Sequence, residues 1–287
     1  MSSFRRIARL FWTSPEITDS SGSVKNQLQF RQLHCCLRAV GRKGEKVKFK
    51  LIIFDIDGTI AEPLSSWRYV HERLGLWDEP ACLYQERFLA GKISYRKFCE
   101  LDAAHWRGLP EKKIKNIFRK APYSRNAVRS IKKLRKMGFK LAAVSTGLQY
   151  MADRVKKELK FNYVSANRLI SRRGVLTGGV KINITHGAKG HILRKILRKF
   201  HVKPHEAICV GDSAGDIPLA KASGFSIAFN SSDETFSRIV NYNCHTNDFN
   251  EVFEIIRLIS EGKANEEMIR AARGGDLPDD SLKERAH

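Results

Sequence analysis

The run Leu51-Ile52-Ile53-Phe54 stops abruptly at Asp55-Ile56-Asp57-Gly58-Thr59, and this junction constrains the fold more than any other segment. Consecutive apolar residues with no polar alternation need cover on both faces, the condition of a central strand in a parallel sheet. The two carboxylates, one residue apart, follow where the strand ends and a glycine allows the chain to turn. In open α/β sheets ligands bind outside the carboxyl ends of the strands. A carboxylate at that position can ligate a hard cation such as Mg²⁺ or attack phosphorus, and its neighbour can deliver a proton to a leaving oxygen. Taken alone, an Asp-x-Asp-Gly turn after a strand is ordinary turn chemistry.

The rest of the chain supplies the context. From residue 49 onward strand-like and helix-like segments alternate, the pattern of a parallel sheet covered by helices. After the first strand, residues 65–123 read as helical, with Trp67, Val70 and Leu74 and then Phe88, Ile93, Phe98 and Leu101 as apolar stripes and no strand between them. This block predicts a helical cap inserted into the core. Val128, Ile131, Leu134 and Met137 mark a helix closed by Gly138, which feeds a strand over 139–145. Residues 163–183 carry β-type residues broken by Arg172-Arg173-Gly174, the signature of a hairpin or small flap. Strands at 206–210 and 225–229 and a helix around 248–260 complete the core.

The expected organisation is therefore a Rossmann-like α/β core, 47–64 with 124–260, and a mostly helical cap over 65–123. Residues 1–46 read as a basic, disordered extension, since the first 50 residues carry eleven Lys/Arg against three acids. Residues 261–287, polar and containing Gly274-Gly275 and Pro278, read as a flexible charged tail. The uninterrupted apolar runs are far shorter than the roughly 20 residues that span a bilayer. The six cysteines lack C-x-x-C spacing, which reads as reduced thiols and a cytoplasmic location. Lys+Arg 52 against Asp+Glu 30 gives a formal net charge of +22, which favours anionic partners without choosing among small phosphorylated molecules, nucleic acid and a membrane surface.

Two further strand ends narrow the choice. One closes at Val144-Ser145-Thr146-Gly147 and the other at Val210-Gly211-Asp212-Ser213-Ala214-Gly215-Asp216, each with small polar or acidic residues just past the apolar run. Between them Gly187-Ala188-Lys189-Gly190 opens a helix, where main-chain N–H groups and a lysine can face an anion. A protein that only bound a polyanion would have no need to gather Asp55, Asp57, Asp212 and Asp216 in one pocket.

The order DxDGT, ST, K and GDxxxD resembles the haloacid dehalogenase superfamily of aspartate-nucleophile phosphatases. The stretches Ser165 to Ile170, Gly174 to Gly178, Ala188 to Gly190 and Gly211 to Pro218 are similar to its phosphoserine phosphatase branch, and the resemblance runs from about Lys50 to about Ile259. The resemblance implies Asp55 as nucleophile and Mg²⁺ ligand, and Asp57 as general acid and base whose main-chain carbonyl touches the metal. It implies that Thr59 orients Asp57, that Ser145 and the Thr146 main chain bind phosphoryl oxygens, and that Lys189 neutralises charge on phosphate and Asp55. Asp212 and Asp216 become the metal-binding and supporting acids. Glu62, Trp67 and Arg68 stand as candidate substrate contacts in the loop and cap. The implied partner is a small phosphorylated metabolite, with phosphoserine the leading candidate. Among the histidines, His71, His105, His186 and His191 show no ligand spacing and are read as structural.

Overall fold

The computed structural model describes residues 48–263, so the expectations for residues 1–46 and for most of the tail lie outside the described residues. Seven strands form one sheet. They are β1 Leu51–Phe54, β2 Lys140–Leu148, β3 Tyr163–Arg172, β4 Val175–Lys181, β5 Ala207–Gly211, β6 Phe225–Ala228 and β7 Tyr242–Asn243, in the order β4-β3-β2-β1-β5-β6-β7. All neighbouring pairs are parallel except the β3–β4 hairpin. The architecture is the Rossmann-like α/β sheet expected, with a helical cap inserted between the first and second motifs.

The apolar run of β1 is divided by the period-two alternation of a strand. Ile52 and Phe54 join one buried cluster and Leu51 and Ile53 the other, so no residue of the strand is left for solvent. Its register decides where the motifs meet. Phe54 pairs with Ala143 of β2 on one side and Val210 of β5 on the other. The residues just beyond all three strands therefore emerge side by side, at the point where the strand order reverses.

The cap comprises α1 Ser66–Leu74, α2 Glu79–Leu89, α3 Tyr95–His105 and α4 Glu111–Arg119. Ser65, Asp78 and Ser94 start the first three by accepting the main-chain N–H groups of Arg68, Ala81 and Lys97. Gly75 ends α1 in the left-handed region at φ 69°. The apolar stripe of the cap merges with one face of the sheet, because Trp67, Phe98 and Trp106 belong to the same buried cluster as Phe54 and Leu148. Three core helices follow β1 and the cap: α5 Ala127–Lys136, α6 Gln149–Glu158 and α7 Lys189–Phe200. Two short helices, α8 Ile217–Lys221 and α9 Glu234–Ser237, precede α10 Phe249–Glu261.

Some details differ from the sequence reading. The strand expected over 139–145 continues to Leu148, which pairs with Asn167 after a register shift. The segment expected as a hairpin or small flap is a hairpin, but it begins as a core strand, since Tyr163, Val164 and Ser165 pair with β2 before the chain turns outward. There the hairpin is bonded to the cap: Gly108 donates to Leu176 O, Leu176 to Leu109 O and Glu111 to Gly174 O. Periodicity alone could not show this, because the pairing joins segments distant in sequence. Strand β7 and helix α9 are too short to leave a periodic signal.

At the far end of the sheet Glu251 anchors α10. Its carboxylate accepts from Tyr242 Oη at 2.9 Å, from the His245 and Thr246 N–H groups at 2.8 Å each and from Thr246 Oγ1 at 2.7 Å. Burial by itself would raise this carboxyl, but the bonds from His245 and Thr246 outweigh it and hold it down to about 2. The ionised form therefore stabilises the fold above the ordinary glutamate range, and that contribution is lost as pH falls from about 4.5 towards 2. Glu251→Gln is expected to lower stability by about 1–3 kcal/mol at pH 7. Urea titrations at successively lower pH should show the gap between wild type and variant closing below about pH 4, and a gap independent of pH would contradict this account.

Candidate active site

Four carboxylates and one lysine crowd the carboxyl ends of β1 and β5. Asp55 follows β1 directly and is 5% exposed, with its N–H donating to Val210 O. Lys189, the first residue of α7, is 2% exposed, and its Nζ lies 2.6 Å from Asp55 Oδ1 and 2.6 Å from Asp216 Oδ1. Asp212 follows β5, and oxygens of Asp55, Asp212 and Asp216 lie within 4.8 Å of one another. Asp216 is held by its own turn, where the N–H groups of Asp212 and Ser213 donate to its Oδ2.

The electrostatics follow from burial and crowding. Burial raises the Asp55 carboxyl most, Lys189 opposes this, and the charges of Asp216 and Asp57 push it further, to about 7. Burial and the neighbouring charges of Asp55 and Asp216 also raise Asp212 well above the carboxylate range. Burial alone would strip Lys189 of its proton, yet Asp216 and Asp55 more than offset it and keep the ammonium form. One cation thus faces several acids. The excess negative charge and the all-oxygen donor set suit a hard divalent cation such as Mg²⁺.

Asp57 points elsewhere. Its Oδ2 accepts the N–H of Ser66, the first residue of α1, at 2.7 Å. Burial raises its pKa and the Ser66 bonds only partly counter this, so a proton is retained to higher pH than on an ordinary aspartate. Thr59, expected to orient Asp57, instead donates its hydroxyl to Asp212 Oδ1 at 3.4 Å, because the turn at Gly58 swings it towards β5. Gly58 has φ 76°, and a Cβ there would lie 2.6 Å from Asp212 Oδ2. Gly147 has a different reason: a Cβ would collide with both the Asp57 carboxylate and Ser66 Oγ. The glycine therefore lets the end of β2 close on the general-acid candidate.

Ser145 is buried, and its Oγ accepts the Gly147 N–H at 2.8 Å. Thr146 presents its carbonyl to the cap. That oxygen accepts from Trp67 Nε1 at 3.3 Å, from Asn167 Nδ2 at 2.8 Å and from the Tyr95 hydroxyl. Asn167, fully buried, also accepts from the N–H groups of Asn183 and Ile184, tying the hairpin and the loop before α7 to the same point.

The carboxylates open into a cavity of about 200 Å³ between core and cap. Asp55, Asp57, Thr146, Lys189 and Asp212 line it. Trp67 also lines it, but its N–H is committed to Thr146 O and its ring stacks on Trp106 at 5.8 Å. Glu62 and Arg68, the other candidate substrate contacts, do not line it. Glu62 is exposed, while Arg68 is drawn away by Glu72 at 2.7 Å and by the Trp77 ring at 4.9 Å. His186, read from sequence as structural, reaches the cavity and packs on Phe88 at 5.7 Å. Partial desolvation and the Lys189 charge lower its pKa, keeping the imidazole neutral at pH 7. Ser66, Tyr95, Asn167 and His186 gave no separate chemical signal. Only Asn167 lay in a stretch already singled out, Ser165 to Ile170.

A family model described as haloacid dehalogenase-like hydrolase matches residues 52–221, which contain every acid of this cluster and Lys189. The chain belongs to the haloacid dehalogenase-like hydrolases. Within these hydrolases it is similar to a phosphoserine phosphatase of Archaeoglobus fulgidus, 32% identical over 185 residues that cover 64% of this chain and 53% of that protein. This chain therefore spans about half the length of that relative. A phosphoserine phosphatase of Methanocaldococcus jannaschii is 31% identical over 183 residues, covering 63% of this chain and 86% of the relative. Among solved structures, a substrate-bound phosphoserine phosphatase complex superposes with a TM-score of 0.64 at 27% identity, covering 73% of this chain and 98% of the other. No helix among the described residues is long and apolar enough to cross a membrane.

Two outcomes follow from the geometry. In metal-free protein the Asp55 carboxyl is expected to titrate near 7, and added Mg²⁺ should shift that titration down because the ion favours the anion. Carboxyl ¹³C NMR reads this directly, and titration of Asp55 near 4 without metal would contradict the crowding described above. Gly147→Ala should lower hydrolytic turnover by about 10²-fold by displacing Asp57, with circular dichroism unchanged. Unaltered turnover in this variant would show that the close approach is unimportant.

Proposed function

We propose that this hydrolase is a Mg²⁺-dependent phosphomonoesterase acting on a small phosphorylated metabolite through an aspartyl phosphate. The carrying observation is the buried pairing of Lys189 with Asp55 beside Asp212, together with an Asp57 whose carboxyl burial raises above the ordinary aspartate value. Asp55 is the nucleophile: its carboxylate oxygen forms a bond to phosphorus as the ester P–O bond breaks. Asp57 gives its proton to the departing oxygen and then takes one from the water that attacks the aspartyl phosphate, releasing inorganic phosphate and restoring Asp55. Lys189 holds the Asp55 carboxylate in place and offsets the phosphoryl charge, with Ser145 and the Thr146 main chain at the phosphoryl oxygens.

Asp55, Asp212 and Asp216 would hold the Mg²⁺ ion, together with the Asp57 main-chain carbonyl expected from the family resemblance. When bound, the ion neutralises the phosphoryl group and lets two anions approach. Thr59 acts on Asp212, and so on the metal site, in this reading.

The relatives' names make phosphoserine the reference substrate, and a cytoplasmic location is supported by cysteines Cys82, Cys99, Cys209 and Cys244, all free thiols. Another small phosphomonoester is favoured by the apolar side chains Leu64, Phe88, Leu89 and Phe98 in the cavity lining. Binding of nucleic acid through the basic surface finds less support, because it gives the buried acids no role.

Asp55→Asn is expected to reduce phosphate release by about 10³-fold or more while the chain remains folded by circular dichroism. Chelation of divalent metal should stop turnover and Mg²⁺ should restore it. Persistent turnover by Asp55→Asn would remove the covalent route, and persistent turnover in chelator would remove the metal.

A further inference from the structure

The acids and Lys189 grip only the phosphoryl end of a substrate, so the alcohol it leaves behind must be accommodated by the rest of the cavity. The apolar part of the remaining lining is Leu64, Trp67, Phe88, Leu89 and Phe98, with Gln85, Tyr95 and His186 beside them. Phe88 stacks on Phe98 with centroids 5.3 Å apart and planes at 17°, and Trp67 packs on Phe98 at 6.1 Å. These rings make a continuous aromatic wall. At its edge Leu64 is 59% exposed and Leu89 is 72% exposed, two of the few large apolar side chains open to solvent among the described residues. A single exposed leucine needs no explanation, but two on one cavity that already has an aromatic wall mark an apolar contact surface.

Charge is absent from the same wall. Beyond Asp55, Asp57, Asp212 and Lys189, no carboxylate, lysine or arginine lines the cavity among the described residues, and the imidazole of His186, which packs on Phe88 and Tyr95, has its pKa lowered by burial and by Lys189. The cap arginine nearest in sequence, Arg68, is engaged by Glu72 and Trp77. The polar groups that remain, such as Gln85, Ser65 and Ser213, are neutral and can orient a hydroxyl or a carbonyl but cannot balance an ion. An amino-acid ester would bring an ammonium and a carboxylate beside leucine and phenylalanine, with neutral polar groups but no fixed counter-ion to replace lost hydration.

We propose, resting on the phosphatase reading above, that the substrate is a phosphomonoester of an uncharged, largely apolar alcohol whose carbon skeleton packs on Phe88 and Trp67 and reaches the rim at Leu64 and Leu89. Hydrolysis then yields inorganic phosphate and that neutral alcohol. The chain's similarity to phosphoserine phosphatases covers 98% of the substrate-bound structure, so the inference rests on the chemistry of this cavity's own lining and not on a missing region.

The test is steady-state phosphate release by the full-length chain with Mg²⁺ on benzyl phosphate, butyl phosphate, methyl phosphate and phosphoserine. All four release alkoxides of comparable basicity, so intrinsic reactivity does not imitate recognition. Benzyl phosphate is expected to exceed both phosphoserine and methyl phosphate in kcat/KM by about tenfold or more, mainly through KM. In Leu89→Lys the benzyl-to-phosphoserine ratio should fall by about fivefold or more, since the new cation attracts the phosphoserine carboxylate and interrupts the apolar rim. Both substrates are measured on one preparation, so partial loss of folded enzyme cancels in the ratio. A preference for phosphoserine that depends on Asp55 would overturn the inference and leave the phosphatase reading standing, as would methyl phosphate matching benzyl phosphate. Absence of Asp55-dependent release from every ester would remove the phosphatase reading and the inference with it.

Discussion

Lys189, buried between Asp55 and Asp216, is the interaction on which the rest of this structure depends. An ammonium with almost no solvent exposure is tolerable only when carboxylates replace its hydration, and here both do so at 2.6 Å. Each member comes from a different element: Asp55 from the end of β1, Lys189 from the start of α7 and Asp216 from the turn after β5. Displacing any of the three elements would leave a buried charge uncompensated. The parallel register of β1 with β5 and the packing of α7 under the sheet are therefore coupled to the electrostatics of one point. Because a single lysine cannot balance all the acids present, the same arrangement leaves room for a divalent cation.

The cap is tied to that point by main-chain groups rather than by conspicuous side-chain chemistry. Thr146 O receives Trp67, Tyr95 and Asn167, while the first N–H of α1 is given to Asp57. The general-acid candidate is thus positioned by the cap as much as by the core, and a change in how α1 meets β2 would alter the protonation of Asp57. The continuous apolar cluster joining Phe54 and Leu148 to Trp67 and Trp106 gives this junction its stiffness. Trp67 and Tyr95 serve that task while lining the cavity, whereas Phe88 and Leu89 take no part in those bonds and remain available to contact substrate.

Much of this was legible in the residues themselves. An apolar run ending in Asp55-Ile56-Asp57-Gly58-Thr59 demanded a doubly covered strand with acids at its carboxyl end, and the strand ends at Ser145 and Asp212 pointed to the same place. Glu62 and Arg68 show where such reading stops. Both lie near the first motif in sequence, but the start of α1 turns them away from the cavity, and Glu72 and Trp77 hold Arg68 there. Thr59 shows it again: its position in the motif is clear, yet only the turn at Gly58 decides that its hydroxyl meets Asp212 and not Asp57.

The sequence by itself determined the strand-and-helix order, the buried character of β1 and the identity of the acids and the lysine, because these depend on local periodicity and on which side chains can carry the chemistry. Tertiary structure alone decided that Asp57 is held by Ser66, that the 163–183 hairpin is bonded to the cap, that Thr146 is the knot between cap and core, and that Leu64, Phe88, Leu89 and Phe98 share a cavity with the acids. Those features rest on contacts between segments far apart in the chain. No periodic pattern or motif encodes a contact whose two halves are brought together only by the register of the sheet.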